Sequence, residues 1–308
     1  PDTCRSNIHD MKKFIILFVF YYLNGDTISP SLYSWFSASK LSQAGGGNLN
    51  MSPNSRSANP ANLSLSRSFS TSFVLYPAGI QAQSVSLLIP QSNRLITVAI
   101  NHISYGTFKG YDENAIPTNN YSSSDTWMRL GYSRLSKNLP ISYGISNQLY
   151  FSKLGRYSSK IFYLSLGAIW NIKKYKTNIG LSIDDISINI SPINNVTEKS
   201  PLRYNIGVSK KLEYLPLKIS VDYLSINNKK NKDYFISGIF SLPKNLNFIW
   251  GTSTRKLSQN IKESVIKTIL GSSGVGINYK DNGIIIGYGL YFYGTGGWTN
   301  GLDLSINF

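Results

Sequence analysis

Asp184 and Asp185 are paired carboxylates, of the kind that can divide a proton-transfer task between them. Adjacent residues on a strand point to opposite faces, however, so the two do not readily share one site. The apolar phase also slips here, from Leu181 and Ile183 to Ile186, Ile188 and Ile190, as a bulge produces; a bulge or lumen charge is the plainer reading. Outside the first ten residues His102 is the sole histidine, and it has neither cysteine nor clustered carboxylates around it, which argues against a zinc site or a histidine triad. Gly45, Gly46 and Gly47 lack the strand and helix of a phosphate loop and read as a flexible or tightly turning segment. No catalytic residue, metal site or cofactor is expected, and the protein reads as a non-enzyme. Lys and Arg number 31 against 15 Asp and Glu, a formal +16. The basic residues fall in short scattered clusters (Lys173, Lys174, Lys176; Lys210, Lys211; Lys229, Lys230, Lys232) with no helix or aromatic platform, so nucleic acid is not the expected partner. At the rim of a barrel such residues are solvated or meet anionic lipid headgroups and lipopolysaccharide phosphates.

The elements that position these residues are strands. Leu302, Leu304, Ile306 and Phe308 alternate with Asp303, Ser305 and Asn307, and the stretch ends on an aromatic. One face in lipid and one in water requires this period of two. The strand resembles the signal read by outer-membrane insertion machinery (Leu304, Ile306, Phe308), although the glycine usual near its start is replaced by Asp303 or displaced to Gly301. Leu202, Tyr204, Ile206 and Val208 oppose Arg203, Asn205, Gly207 and Ser209 in the same way. So do Leu217, Ile219, Val221 and Tyr223 against Lys218, Ser220 and Asp222, and Val275, Ile277 and Tyr279 against Gly274, Gly276 and Asn278. The run Ile284–Phe292 alternates less cleanly.

The 21 Tyr, 14 Phe and 25 Gly, with 15% charged residues, suit aromatic girdles at two membrane interfaces. Apart from the N-terminal segment, no apolar run approaches the roughly 20 residues of a membrane helix, so a membrane-spanning form must be a barrel. The expected fold is all-β: a transmembrane antiparallel barrel of about 14 strands, with a short N-terminal segment that can fold into the lumen. Strand centres are expected near Phe73, Leu87, Val98, Leu130, Gln148, Leu166, Ile183, Ile206, Val221, Ile239, Ile249, Leu270, Ile286 and Leu304. The polar stretch Ser104 to Asp125 reads as a long loop. Residues 1–10 read as a misassigned upstream segment and 11–29 as a signal peptide, with Met11-Lys12-Lys13 before an apolar run and cleavage between Gly25 and Ser29. Residues 30–62 form an N-terminal segment or partial plug, and 63–308 the barrel. Cys4 and His9 fall in the first of these segments, so no disulfide framework is expected.

Before the barrel, Ala44-Gly45-Gly46-Gly47 is followed by Asn59-Pro60-Ala61, an arrangement that resembles the opening of FadL-like outer-membrane proteins. Within these, the chain is most similar to the PorV/PorQ branch, and to PorQ-like members, through Asn101–Glu113 (NHISYGTFKGYDE), Leu149–Ser159 (LYFSKLGRYSS) and Gly207–Pro216 (GVSKKLEYLP). The likeness runs from about residue 40 to residue 300. It implies an outer-membrane component of type IX secretion, acting by recognition of other secretion proteins or secreted cargo through loops. Candidate loops are Lys109–Asp125, Ser191–Ser200 and Ser258–Glu263; the first carries Tyr111 and Tyr121, with Trp127 just beyond, as partner-facing aromatics. The alternative is a FadL-like transporter of hydrophobic small molecules, which needs an apolar pocket near the plug, where Leu32, Tyr33, Trp35 and Phe36 can contribute. A general porin is a weaker third, since inward Gly and Ser do not make a charged ring.

Overall fold

A computed structural model describes residues 30–53, 55–192, 200–227, 232–258, 270–294 and 296–308. The expected upstream segment and signal peptide lie outside these residues, as do most of the loops Ser191–Ser200 and Ser258–Glu263. Fourteen strands follow one another: β1 (Ser68–Leu75), β2 (Gln81–Gln91), β3 (Arg94–Tyr111), β4 (Pro117–Leu135), β5 (Ile141–Leu154), β6 (Tyr157–Ile172), β7 (Thr177–Ser191), β8 (Arg203–Lys211), β9 (Leu217–Ile226), β10 (Asp233–Leu242), β11 (Leu246–Ser253), β12 (Ser273–Asp281), β13 (Ile284–Phe292) and β14 (Trp298–Asn307). Each pairs antiparallel with its neighbour in sequence, and β14 closes on β1 from Ser68↔Asn307 to Leu75↔Asn300. Closure leaves no sheet edge, the condition for strands to cross a bilayer.

The period-two pattern sets the facing of the strands. On β14, Leu302, Leu304 and Ile306 are exposed outside, while Asp303, Ser305 and Asn307 turn inward. Val221 and Ile286 are outside as well, 46% and 49% exposed, whereas Ser220 and Asp222 beside Val221 are buried in the lumen. An apolar belt this continuous is unstable in water and stable in lipid. Aromatics mark both its margins: Phe292 against Trp298 and Tyr223 against Tyr234 at one end, Tyr143 and Trp170 at the other. The end that holds Ser68 and Asn307 also carries the short turns, such as Ser92–Asn93 and Asn282–Gly283, which marks it as periplasmic and the opposite mouth as extracellular.

Thirteen of the fourteen expected strand centres lie within strands; Leu270 falls just short of β12, which is built on Val275, Ile277 and Tyr279. The expected loop Ser104–Asp125 is corrected to a ribbon. Here β3 and β4 continue as a pair through register shifts at Ser104/Gly106 and Phe108/Gly110, leaving a connection of residues 112–116. Gly106 adopts φ +87°, and each bulge resets the phase, which is why no clean alternation is visible in the sequence. Beyond Ser104, the last residue of β3 paired with β2, the ribbon projects about 24 Å.

The slip in β7 is the bulge that the phase change indicates: Leu164 pairs Ile186 and Leu166 pairs Ile183, with Asp185 at φ +64°. The bulge also overturns the expectation that Asp184 and Asp185 point to opposite faces. Both carboxylates reach the lumen, Asp184 accepting from Ser182 Oγ at 2.8 Å and Asp185 fully buried.

Candidate functional site

Residues 30–53 and 55–62 enter the barrel and fill much of its lumen as a plug, whose regular elements are a short 3-10 helix (Pro30–Tyr33) and the helix α1 (Ala38–Ser42). Inward-facing glycines in cross-strand pairs let it lie against the wall: Gly144↔Gly167, Gly180↔Gly207, Gly251↔Gly274 and Gly276↔Gly289. A methyl group added at Gly144 would collide with the Pro60 carbonyl, at Gly180 with Leu49, at Gly251 with the backbone of Gln43, and at Gly274 with the Leu41 carbonyl. The inward glycines of the sequence are thus a cradle for main chain.

Wall side chains then grip the plug. Asp303 on β14 accepts from Ala38 N at 2.7 Å and Ser39 N at 2.9 Å, satisfying the free amides at the start of α1. Asp222 on β9 accepts from Gly47 N at 2.7 Å. Asp185 lies between Arg56 of the plug, 3.6 Å away, and Arg203 of β8, 2.5 Å away. Arg129 on β4 donates to the Ser55 and Pro53 carbonyls at 2.8 Å. Lys40 in α1 is buried, donating to the Gly46 carbonyl at 3.2 Å and to Asn48 Oδ1; burial draws its pKa down to about 7, against the attraction of Asp222.

Towards the extracellular mouth the packing becomes aromatic. Trp35 meets Tyr291 edge-on at 4.6 Å, Phe36 meets Trp127 at 5.3 Å, and Trp127 meets Tyr150 at 4.9 Å. Tyr76, just after β1, clamps the plug by receiving the Trp35 amide at 2.6 Å and donating to the Trp35 carbonyl at 2.7 Å. Above this layer lies an apolar cavity of about 260 Å³, walled by Trp35, Tyr76, Ile80, Ile103, Tyr105 and Tyr293. Tyr33 and Arg255 reach its margin, and Arg255 is held by Asp233 at 2.8 Å. Below the layer is a second cavity of about 370 Å³ with a different lining: serines of β1 and β2, Asn101 of β3, and Phe36 as its contact with the aromatic cluster.

Of the residues singled out in the sequence, Gly45, Gly46 and Gly47 form a tight turn after α1, Gly45 and Gly47 having φ of +89° and +71°. Asn59, Pro60 and Ala61 make an Asx turn, with Ala61 N donating to Asn59 Oδ1 at 2.9 Å, and Asn59 Nδ2 reaches the Leu181 carbonyl at 3.0 Å. Both motifs therefore seat the plug on the wall. Leu304, Ile306 and Phe308 lie outside the barrel, and Phe308 N bonds the Arg67 carbonyl at 3.0 Å. Tyr111 and Tyr121 are exposed on the β3–β4 ribbon, Tyr121 stacked on Phe108. Trp127 is not with them: it sits on an inward position of β4, fully buried in the lumen, and is corrected from a partner-facing residue to a plug contact. Leu32, Trp35 and Phe36 join the apolar cluster. Tyr76, Ile80, Ile103, Tyr105 and Tyr293 were not legible as pocket residues, because the chain separates them by up to the length of the barrel. Their sequence signal is an aromatic or aliphatic residue at or just past the extracellular end of a strand.

No protein-family model matches the chain, and no curated protein matches it in sequence. Solved structures match it in shape. The Ralstonia pickettii toluene transporter TbuX superposes with a TM-score of 0.57 at 10% identity, covering 88% of this chain and 97% of that one. A TodX monoaromatic hydrocarbon channel mutant lacking S2 and S3 gives a TM-score of 0.59 at 12% identity, covering 89% and 99%. The fold is a FadL-like fourteen-strand barrel of the bacterial outer-membrane kind.

Proposed function

We propose that this protein carries small, neutral hydrophobic molecules, aromatic hydrocarbons foremost, across the outer membrane without catalysis. The observation that carries this reading is the apolar cavity at the extracellular mouth, formed jointly by the plug and the barrel wall. Its volume of about 260 Å³ exceeds the roughly 150 Å³ in which an apolar cavity binds benzene, and its aromatic walls favour a flat ring. The nearby cation Arg255 is already matched by Asp233, so the site does not demand a charged ligand. The structural neighbours named for toluene and monoaromatic hydrocarbons support the same class. The comparisons lend no support to a role in type IX secretion.

Uptake of radiolabelled toluene by cells expressing the protein tests the reading. Ile103→Lys, which puts a charge into the cavity wall, is expected to reduce uptake to that of cells without the protein while leaving the barrel folded. Uptake unaffected by that change would overturn the proposal. Removal of residues 112–116 at the tip of the ribbon bearing Tyr111 and Tyr121 is expected to leave both uptake and the set of surface proteins unchanged; a loss of surface protein, in cells whose toluene uptake does not depend on this protein, would return the secretion reading to first place.

A further inference from the structure

The lumen opens at its periplasmic end into a vestibule of about 900 Å³. Its charged lining is Lys137 in the β4–β5 turn, Lys173 just after β6 and Lys218 on β9, and no Asp or Glu lines it. Lys218 shares the inward phase of the buried Ser220 and Asp222. In the strand register it stands directly across from Lys211 of β8. Like charges in that position repel and destabilise the pairing. Among the described residues no carboxylate compensates them: the acids in ion pairs are Asp185, Asp233 and Glu213, and Glu213 takes Lys176 at 3.7 Å. The rest of this mouth has the same sign, with Lys174, Lys210, Lys244 and Lys280 at its turns and strand ends against the acidic side chains Glu213 and Asp281. At the extracellular mouth the signs are mixed, and Asp112, Glu113 and Asp233 stand among Lys109, Lys153 and Arg255.

We infer that the vestibule is a docking site for an extended acidic segment of a periplasmic protein, whose carboxylates bridge Lys211 and Lys218 and reach Lys137 and Lys173. An anion between the two facing ammonium groups turns their repulsion into attraction, and the positive mouth draws an acidic partner towards it. The space is far larger than a phosphate ion, and its cations are spread over three elements of the wall. Between them lie the amides of Asn138, Asn171 and Asn178, which can both donate to and accept from a peptide main chain. Leu139 and Ile169 add apolar contact. Phospholipid is the less fitting occupant. A second like-charge pair at this mouth, Arg94 across from Arg134, has the outward phase of the exposed Val98 and Leu130 and so meets the headgroups, whereas Lys211 and Lys218 face the lumen. The inference concerns a partner and stands apart from the nature of the transported molecule.

Fluorescence anisotropy of a labelled peptide of alternating Glu and Ser, added to the whole protein in phosphatidylcholine nanodiscs, tests the site. This peptide is expected to bind, more weakly as salt rises, and its Gln–Ser counterpart not to bind. Lys211→Glu makes the facing pair attractive and keeps the barrel folded, as heat-modifiable mobility checks; it is expected to weaken binding about tenfold or more, as is Lys137→Gln combined with Lys173→Gln. Arg94→Gln with Arg134→Gln removes charge from the outward face of the same mouth and is expected to leave binding unchanged. Equal weakening by the arginine pair would overturn the proposal and make the mouth a headgroup surface. Displacement of the peptide by inorganic phosphate at matched ionic strength would overturn it in favour of a small-anion site, and so would equal binding of the Gln–Ser peptide in favour of non-specific adhesion. Toluene uptake is read separately, so its absence would refute the transport reading without touching this result.

Discussion

The sector of the lumen lined by β5 to β8 and the sector lined by β1 to β3 use similar residues to opposite ends. Both present small side chains inward, Gly144, Gly167, Gly180 and Gly207 in the first, Ser70, Ser72, Ser84 and Ser86 in the second. Where the residue is glycine, the absence of a Cβ lets Leu49, Asn59 and Pro60 rest on the strand backbone, and no passage remains. In the second sector the serines line an open cavity, and Ser84 Oγ at its top reaches the Phe36 carbonyl of the plug. The sealed sector carries inward serines as well, Ser142, Ser146, Ser165 and Ser182, so it is the glycine pairs among them that bring plug and wall together. Arg56, Asp185 and Arg203 lock the sealed sector, while beside the hollow one the plug is held by Asp303 through the amides of α1 and by the hydroxyls of Tyr76 and Ser84.

The sharpest way to break this contrast is to unlock the sealed side. Asp185→Ala removes the carboxylate that balances buried Arg56 and half-buried Arg203, and the plug is expected to lose about 3 kcal/mol of docking energy. Trypsin cleavage after Lys40 or Arg56 in the folded barrel reports that loss; a plug as resistant as the wild type would show that the ion pair is not what seals it. Next in size, Gly144→Ala forces a methyl group against the Pro60 carbonyl and is expected to cost about 1–3 kcal/mol, whereas Ser86→Ala across the lumen, which only enlarges a cavity, should leave protease resistance unchanged. Equal effects at the two sites would erase the distinction between cradle and cavity. Tyr76→Phe removes both hydrogen bonds to Trp35 at a cost of about 1–2 kcal/mol. It is expected to raise conductance through the hollow side without exposing Lys40 or Arg56 to trypsin.

The wall was readable from the sequence because each strand carries its own period-two record of lipid and water: Ile206 and Val208 against Gly207 and Ser209 need no knowledge of any other strand. The site is not local in this sense. Pro60 touches Gly144, Asp303 caps α1 from the far end of the chain, and Ile103 meets Trp35 only after the barrel has closed. Trp127 shows the limit: adjacent in sequence to a polar stretch, it looked like part of an exposed surface, yet the phase of β4 turns it into the lumen. Asp184 and Asp185 show it again, since a phase slip in the sequence reveals a bulge but not that the bulge swings both carboxylates inward. What local chemistry did supply was the apolar start of the plug, Leu32 to Phe36, because four large apolar side chains in five residues have to be buried somewhere.

The response to protons tests the docking of the plug in a further way. Lys40 is buried in α1 of the plug, near Asp222, Asp184, Arg203 and Arg255, and docking lowers its pKa from about 10.5 to about 7, chiefly by removing its ammonium from water. An undocked plug therefore binds more protons than a docked one between these values, and docking strengthens as pH rises through that window and levels off below pH 7. Between pH 7 and 8 the gain is about 1 kcal/mol, approaching about 1.4 kcal/mol per unit higher up. Trypsin resistance of the plug is thus expected to increase from pH 7 to pH 9, after correction for the activity of the protease on an unfolded substrate, and Lys40→Met to remove the slope. Ser70, Ser72, Ser84, Ser86 and Asn101 do not titrate in this range, and the charged groups on the same cavity hold fixed partners, Arg56 on Gln148 and the Leu32 carbonyl and Asp303 on the amides of α1, so toluene flux should stay level over the same interval. Flux that rose and fell with plug resistance would mean that the sealed and hollow sides open as one unit, and that the difference between glycine and serine around the lumen does not separate them.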